Sequence, residues 1–427
     1  MNKIKGWFKD QECKPLAFQK ECWKAYLEGK NGVLHAPTGS GKTYAMWGGI
    51  LEEALQDKKK AVGIQALWIT PLRALAVEIQ NALQKMTADL HPDLKIVLRT
   101  GDTSESHRQK QKRKPSFGLV TTPESFHILL STKEHQKNFN NLKVVVVDEW
   151  HQLLGTKRGV QIELAIAYLR SFLPNIKVWG ISATIGNKDL ARKILLGPVK
   201  NYTTVNARIE KKIKVKSILP KSMESFPWRG HLGIHLLPQV LKLVKKNKTT
   251  LIFTNTRAQC EIWFHRLLEA DTNLAGNIAM HHGSIDKKIR LWVEDALRKE
   301  QLKVVVCTSS LDLGVDFSPV ENCVQVGSPK GVGRFIQRAG RSGHNPKAAS
   351  TIHFLPTHAM ELIESVALQR GIEKQQIEDR IPFLNSYDVL IQFLMTLAVG
   401  SGFRPENLFP IIQQTFCFQT LDIERWQ

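Results

Sequence analysis

Nowhere in this chain do two cysteines stand in C-x-x-C spacing; its six, Cys13, Cys22, Cys260, Cys307, Cys323 and Cys417, are scattered. That argues against a zinc ribbon and a disulfide framework and fits a reducing, cytoplasmic setting. Long apolar runs are also missing. The opening MNKIKGWFKDQ has no signal-peptide core, and VLIQFLMTLAVGSGF is uncharged but too short for a convincing membrane span, so a soluble protein with no membrane partner is expected. Negative charge is scarce: 39 acidic against 60 basic residues leave a formal net charge of +21. With no amphipathic basic anchor, that excess favours nucleic acid over membrane as the polyanionic partner, a merely basic surface being the plainer alternative. No nuclease or ligase motif occurs.

What is present is a repeating strand and helix pattern. A length of 427 residues suggests two or three domains. GVLHAP, ALWITP, FGLVTTP, KVVVVDE and KVWGISAT alternate with amphipathic helical stretches, the β-α-β signature of a parallel sheet. A polar segment from about Val205 to Gly233 reads as a linker. The pattern then restarts with TTLIFTN, GNIAMHHG, LKVVVCTS, CVQVGSP and STIHFLP. From about Thr357 the strands stop, and YDVLIQFLMTLAVGSG reads as a helix ended by glycine.

Two stretches carry chemistry. APTGSGKT, Ala36 to Thr43, follows a strand and precedes a helix, so backbone N–H groups around Thr38, Gly39, Ser40 and Gly41 suit phosphate oxygens. Lys42 then neutralises the β- and γ-phosphates of ATP, and the Thr43 hydroxyl binds Mg²⁺. VVVVDEWH, Val144 to His151, ends a buried strand on two carboxylates. The valines alone fit a core strand whose polar end marks solvent. Beside a phosphate loop, Asp148 becomes the metal holder and Glu149 the base for the attacking water.

With these motifs in order, the chain resembles the superfamily 2 helicases. APTGSGKT looks like their motif I, DEWH their motif II, and Ser182-Ala183-Thr184 their motif III. FTNTR (Phe253 to Arg257), TSSLDLGVDF (Thr308 to Phe317) and QRAGRSGH (Gln337 to His344) look like motifs IV, V and VI. DEWHQLLGTKRGVQIELA, SATIGN, SFPWRGHLG and QRAGRSGH are similar to the Lhr-like family, in particular its bacterial ligase-associated DNA-damage-response branch. The resemblance implies an α/β fold: two tandem RecA-like P-loop NTPase domains with parallel sheets, 1–205 and 206–370, then the start of a helical winged-helix domain, 371–427. It implies ssDNA-dependent ATP hydrolysis with 3′-to-5′ translocation and unwinding of DNA or RNA–DNA duplexes. A repair ligase or nuclease partner rests on the family name alone.

By the same resemblance Gln19 reads adenine, and Arg341, with Arg338 as second candidate, stabilises the γ-phosphate; an ordinary ion pair is the alternative for Arg341. His344 stands where many superfamily members have another arginine, whose fixed fork and permanent charge a neutral histidine lacks. Arg73, Thr122 and Glu124 in the first half and Thr254, Arg257, Thr308 and Ser309 in the second are candidates for the nucleic-acid strand. Thr122-Pro123-Glu124 is equally a helix cap. Asp316, Trp150, His151, Ser182, Thr184 and Gln337 are expected near the ATP cleft as coupling residues, with core packing a close rival for Trp150 and His151. His281-His282 lacks partners at metal-ligand spacing. The run Arg108 to Lys114 grips DNA or is a solvated loop. The winged-helix similarity stops at Gln427, so a truncated fragment with weak strand separation is expected. Rival readings are an RNA remodeller, whose motif II would more often read DEAD, and a nucleic-acid-binding scaffold with a vestigial nucleotide site.

Overall fold

The computed structural model describes the chain except residues 1, 38, 58–62, 115, 184, 208, 210–212, 221–231, 313–319 and 343–349. Two compact units result. The first comprises Met1–Ala36, Gly41–Arg208 and Asp379–Gln427; the second comprises Pro37–Ser40 and Ile209–Glu378.

In the first unit, strands β1 (Asn31–His35), β2 (Ala66–Ile69), β3 (Ile96–Arg99), β4 (Gly118–Thr121), β5 (Val144–Val147), β6 (Lys177–Ser182) and β7 (Tyr202–Asn206) form one sheet in the order β3-β4-β2-β5-β6-β1-β7. Every pairing is parallel. All four valines of β5 have no exposed surface, as a strand covered on both faces requires. The carboxyl ends of β1, β2, β5 and β6 therefore share one edge, where open α/β sheets bind ligands.

The second unit repeats the plan with β8 (Ile213–Ser217), β9 (Thr250–Phe253), β10 (Ile278–His281), β11 (Val304–Cys307), β12 (Asn322–Val326) and β13 (Ser350–Leu355), ordered β10-β11-β9-β12-β13-β8 and again parallel. β8 lies inside the segment expected to be a linker. Ile213 and Val215 pack against the second core while Lys214 and Lys216 are exposed, so this edge strand has only one apolar face and reads as polar. Of the two readings of the basic run, the solvated loop is not what the backbone adopts. Residues up to Arg113 belong to a helix, Glu105–Arg113, because Gln, Lys and Arg favour helix and none of them needs burial.

The expected helix after the second sheet is Tyr387–Val399, followed by Pro405–Gln413. Their Val389, Leu390, Phe393, Leu397, Leu408 and Ile412 join the same core as Val145 and Val147, so this tail packs into the first unit. Each such side chain contributes about 1.5–3 kcal/mol by leaving water. The cysteines are free, all but Cys13 buried. Among the described residues no helix is long and apolar enough to cross a membrane.

Candidate nucleotide and nucleic-acid site

The loop after β1 turns on two glycines. Gly39 and Gly41 have φ of 75° and 80°, left-handed values that side chains rarely adopt, and Gly41 is the N-cap of the helix Lys42–Gln56. A Cβ on Gly41 would also sit 2.7 Å from Gln19 Nε2. Gln19 is buried, its Nε2 donating to Gly41 O (3.0 Å) and its Oε1 accepting from Leu16 N–H (2.8 Å). One amide thus fixes the edge of the phosphate loop. Ser40 Oγ donates to Pro37 O at 2.7 Å. Thr38 lies outside the described residues, as do Thr184, Asp316 and His344.

Lys42 opens the helix nearly buried, its Nζ 2.8 Å from Glu149 Oε1. Glu149 has φ 48°, a left-handed backbone unusual for a non-glycine residue and of the kind that functional sites retain. Asp148 beside it accepts from Glu149 N–H at Oδ1 (2.8 Å) and from Trp68 Nε1 at Oδ2 (3.3 Å). Burial pushes the Asp148 carboxyl up to about 7, Glu149's charge adds to that, and Lys42 opposes it. Thr43 is half-buried next to Lys42. Lys42, Asp148 and Glu149 are therefore brought together at the sheet edge.

His151 Nδ1 lies 3.4 Å from Glu149 Oε2, yet it accepts from Ala183 N–H (3.2 Å), and burial lowers its pKa to about 4. The ring is neutral near pH 7, and so bridges motif II to the residue after Ser182 without forming an ion pair. Ser182 ends β6, fully buried, with Oγ donating to Ala183 O. Trp150 is fully buried and donates to Ala191 O at 2.9 Å, which supports the packing alternative for it. Trp68 is a site residue that spacing alone misses, because only strand pairing of β2 with β5 places its indole on Asp148.

In the second unit Arg338 is 1% exposed. Its Nε and Nη2 contact Asp312 at 2.7 and 3.2 Å, Nη1 donates to Gln325 Oε1, and its guanidinium stacks over Phe253. A guanidinium so engaged anchors the helix Val332–Ala339. Arg341 is half-buried, one Nη2 donating to Asp312 O at 3.0 Å, and Gln337 is half-buried on the same helix. Asp312 thus holds both arginines, a role the sequence alone did not reveal.

The strand candidates fall into two local groups. Arg73 begins the helix Arg73–Leu90, 62% of its side chain exposed, and donates to Asp102 at 2.6 Å. Thr122 is the N-cap of Pro123–Leu130, but its hydroxyl donates to Ser125 Oγ and makes no cap hydrogen bond. Glu124 is gripped by Arg158 through Nε and Nη2 (2.5 and 3.1 Å), which holds its carboxyl below the usual range against a burial effect in the other direction. In the second unit Thr254 is fully buried, donating to Cys307 O and Thr256 O, while Arg257 and Ser309 are exposed and Thr308 is half-buried. The pairing of Phe253 with Cys307 brings these residues to one sheet edge. His281 is bonded to Ser310 Oγ and Glu294 Oε1, and among the described residues no cluster of three or more His, Cys, Asp or Glu could hold a metal.

These two parallel-sheet units, one with a lysine-bearing phosphate loop and the other with an arginine-bearing helix, have the fold of the superfamily 2 helicases. Residues 16–192 match the DEAD/DEAH box helicase family, 233–345 the helicase conserved C-terminal domain, and 370–427 the winged helix domain of the large helicase-related proteins. The chain is 32% identical to the ATP-dependent helicase Lhr-Core of Sulfolobus acidocaldarius, across 99% of this chain and 50% of that protein. It superposes with a TM-score of 0.87 on the Mycobacterium smegmatis helicase Lhr bound to ssDNA and AMP-PNP, at 27% identity over 100% of this chain and 56% of that one. The helicase MrfA bound to DNA and AMPPNP, 24% identical over 95% of this chain and 57% of that one, shares the fold with a TM-score of 0.80. The chain belongs to the Lhr-like family. It spans about half the length of the curated Lhr-Core relatives it matches.

Proposed function

We propose that the chain is an ATP-dependent translocase moving 3′-to-5′ on single-stranded DNA and separating DNA or RNA–DNA duplexes, in the service of DNA repair in the cytoplasm. The observation that carries this reading is the buried Lys42–Glu149 pair beside Asp148. Without nucleotide, Lys42 neutralises Glu149. A triphosphate seated on the loop draws Lys42 to the β- and γ-phosphates, and Glu149 is released to orient a water and take its proton.

Asp148 is a buried carboxylate short of compensating positive charge, as its raised pKa shows, so its surroundings fit a cation. The Thr43 hydroxyl and Asp148 supply hard oxygen ligands of the kind Mg²⁺ takes alongside phosphates and waters, without a dedicated protein cage. Bound there, Mg²⁺ would neutralise charge on the phosphates. Arg341 is the arginine assigned to the γ-phosphate, while Arg338 keeps the helix Val332–Ala339 in place. Gln19 fastens the loop on which the nucleotide rests.

Arg73, Arg257, Thr308 and Ser309 are the accessible strand contacts; Thr122, Glu124 and Thr254 shape the backbone around them. The Lhr relative solved with ssDNA and AMP-PNP supports the two ligand classes. Strand displacement from duplexes with a 3′ or a 5′ single-stranded tail tests polarity. ATP-dependent opening of 3′-tailed substrates alone is expected. Equal opening of both, or of the 5′-tailed one alone, contradicts it.

A further inference from the structure

Three contacts join the nucleotide edge of the first unit to the segment leading into its last helices, and none uses a residue assigned above to nucleotide or nucleic acid. Asn187, in the loop after β6, donates from Nδ2 to Arg380 O (2.7 Å) and accepts at Oδ1 from Arg380 N–H (3.1 Å). A side-chain amide thus grips both backbone groups of one residue, as a neighbouring strand would. Gly155 follows the short helix Trp150–Leu153 that starts at Glu149. Its φ is 73°, and a Cβ there would lie 2.5 Å from Ile381 O, so the backbone of residue 381 passes directly over it. The Arg380 charge is also felt by buried His151.

Beyond this point the chain is fastened at several sites. Asn385 N–H donates to Cys417 O, Cys417 N–H to Glu163 Oε2, and Gln161 Nε2 to Gln392 Oε1. The tail from Tyr387 onward is thus tied to itself and to the helix Lys157–Phe172, and Arg380–Ile381 is where the segment leading into it meets the loops following β5 and β6.

Resting on the functional reading above, we infer that Arg380–Ile381 is a relay strap, with Asn187 and Gly155 the positioning residues that pass the nucleotide state of the first unit to the helices 387–427. Both loops lead directly from groups that rearrange when Lys42 leaves Glu149: one from Glu149 itself, the other from Ala183, which His151 holds. A strap held by the loop after β6 and seated on the loop after β5 cannot keep both contacts if those loops shift relative to each other.

Hydrogen–deuterium exchange on the full chain, with and without Mg²⁺ and AMP-PNP, tests this. In the wild type, nucleotide should slow exchange across 380–399 about threefold or more, whereas Asn187→Ala should lose that response with nucleotide affinity kept within about threefold. Asn187→Asp, which keeps the acceptor but not the donor, should retain part of it. Gly155→Ala, which pushes the strap away from the other loop, should lose it too. Static glue would instead raise exchange in the variants equally with and without nucleotide, leaving the nucleotide response intact; that result overturns the relay. Wild type that binds AMP-PNP with no change across 380–399 overturns it as well. Wild type that does not bind AMP-PNP defeats the functional reading, and the relay falls with it.

Discussion

Replacing Asp148 by Asn should stabilise the protein while disabling it, and the stabilisation should depend on pH. The carboxyl is buried, its pKa raised from 3.8 to about 7 chiefly by desolvation and next by Glu149. Below the unfolded value both states are protonated and the group costs nothing. As pH rises toward 7 only the unfolded chain ionises, so stability is lost across that window; above 7 the full penalty applies. At roughly 1.4 kcal/mol per pKa unit the penalty is at most about 4 kcal/mol at about pH 8.5 and roughly a third of that at about pH 5. Asn is neutral in both states and keeps an oxygen for Trp68 Nε1 or Glu149 N–H. With half the penalty realised, Asp148→Asn should raise the thermal midpoint of the first unit by about 4–8 °C at about pH 8.5, and by roughly a third of that at about pH 5. Thermal melts of both proteins at the two pH values measure it. An unchanged or lowered midpoint at the higher pH, or a gain that does not shrink at the lower one, would refute the charge argument.

The two arginines of the second unit should separate cleanly. Arg341→Ala should cut turnover by about 10³- to 10⁵-fold with the fold intact, whereas Arg338→Ala, which leaves buried Asp312 only the more distant Arg334 at 3.7 Å, should cost about 3 kcal/mol of stability. Denaturant melts together with steady-state hydrolysis tell these apart. Arg73→Ala removes only an exposed pair with Asp102 and should alter stability by less than about 1 kcal/mol. Its effect should appear in ssDNA binding, where the log–log salt slope falls by about 0.7 if one phosphate contact is lost; an unchanged slope would remove Arg73 from the strand path.

The valines of β5 and the glycines around Lys42 could be read from sequence because each follows from a local rule: strands buried on both faces are apolar throughout, and a phosphate loop needs backbone that side chains obstruct. The edge strands β3, β7 and β8 escaped, β3 because it is only four residues long and β7 and β8 because one face is polar, and the helix Glu105–Arg113 because it has no apolar stripe to reveal its period. In QRAGRSGH only the resemblance puts Arg341 ahead of Arg338 for the γ-phosphate. Only the fold shows that Asp312 and Gln325, distant in sequence, hold Arg338 in the core. The grip of Asn187 on Arg380 spans a still longer separation, and no spacing rule could reach it.

The most direct test of a coupled motor is the rate of ATP hydrolysis with Mg²⁺, with and without a single-stranded DNA oligomer, in wild type and Glu149→Gln. Strong stimulation by DNA in the wild type, and a fall of about 10²- to 10⁴-fold in the variant with nucleotide still bound, is predicted from loss of the base. Hydrolysis indifferent to DNA, or unaffected by removing the Glu149 charge, would contradict the account.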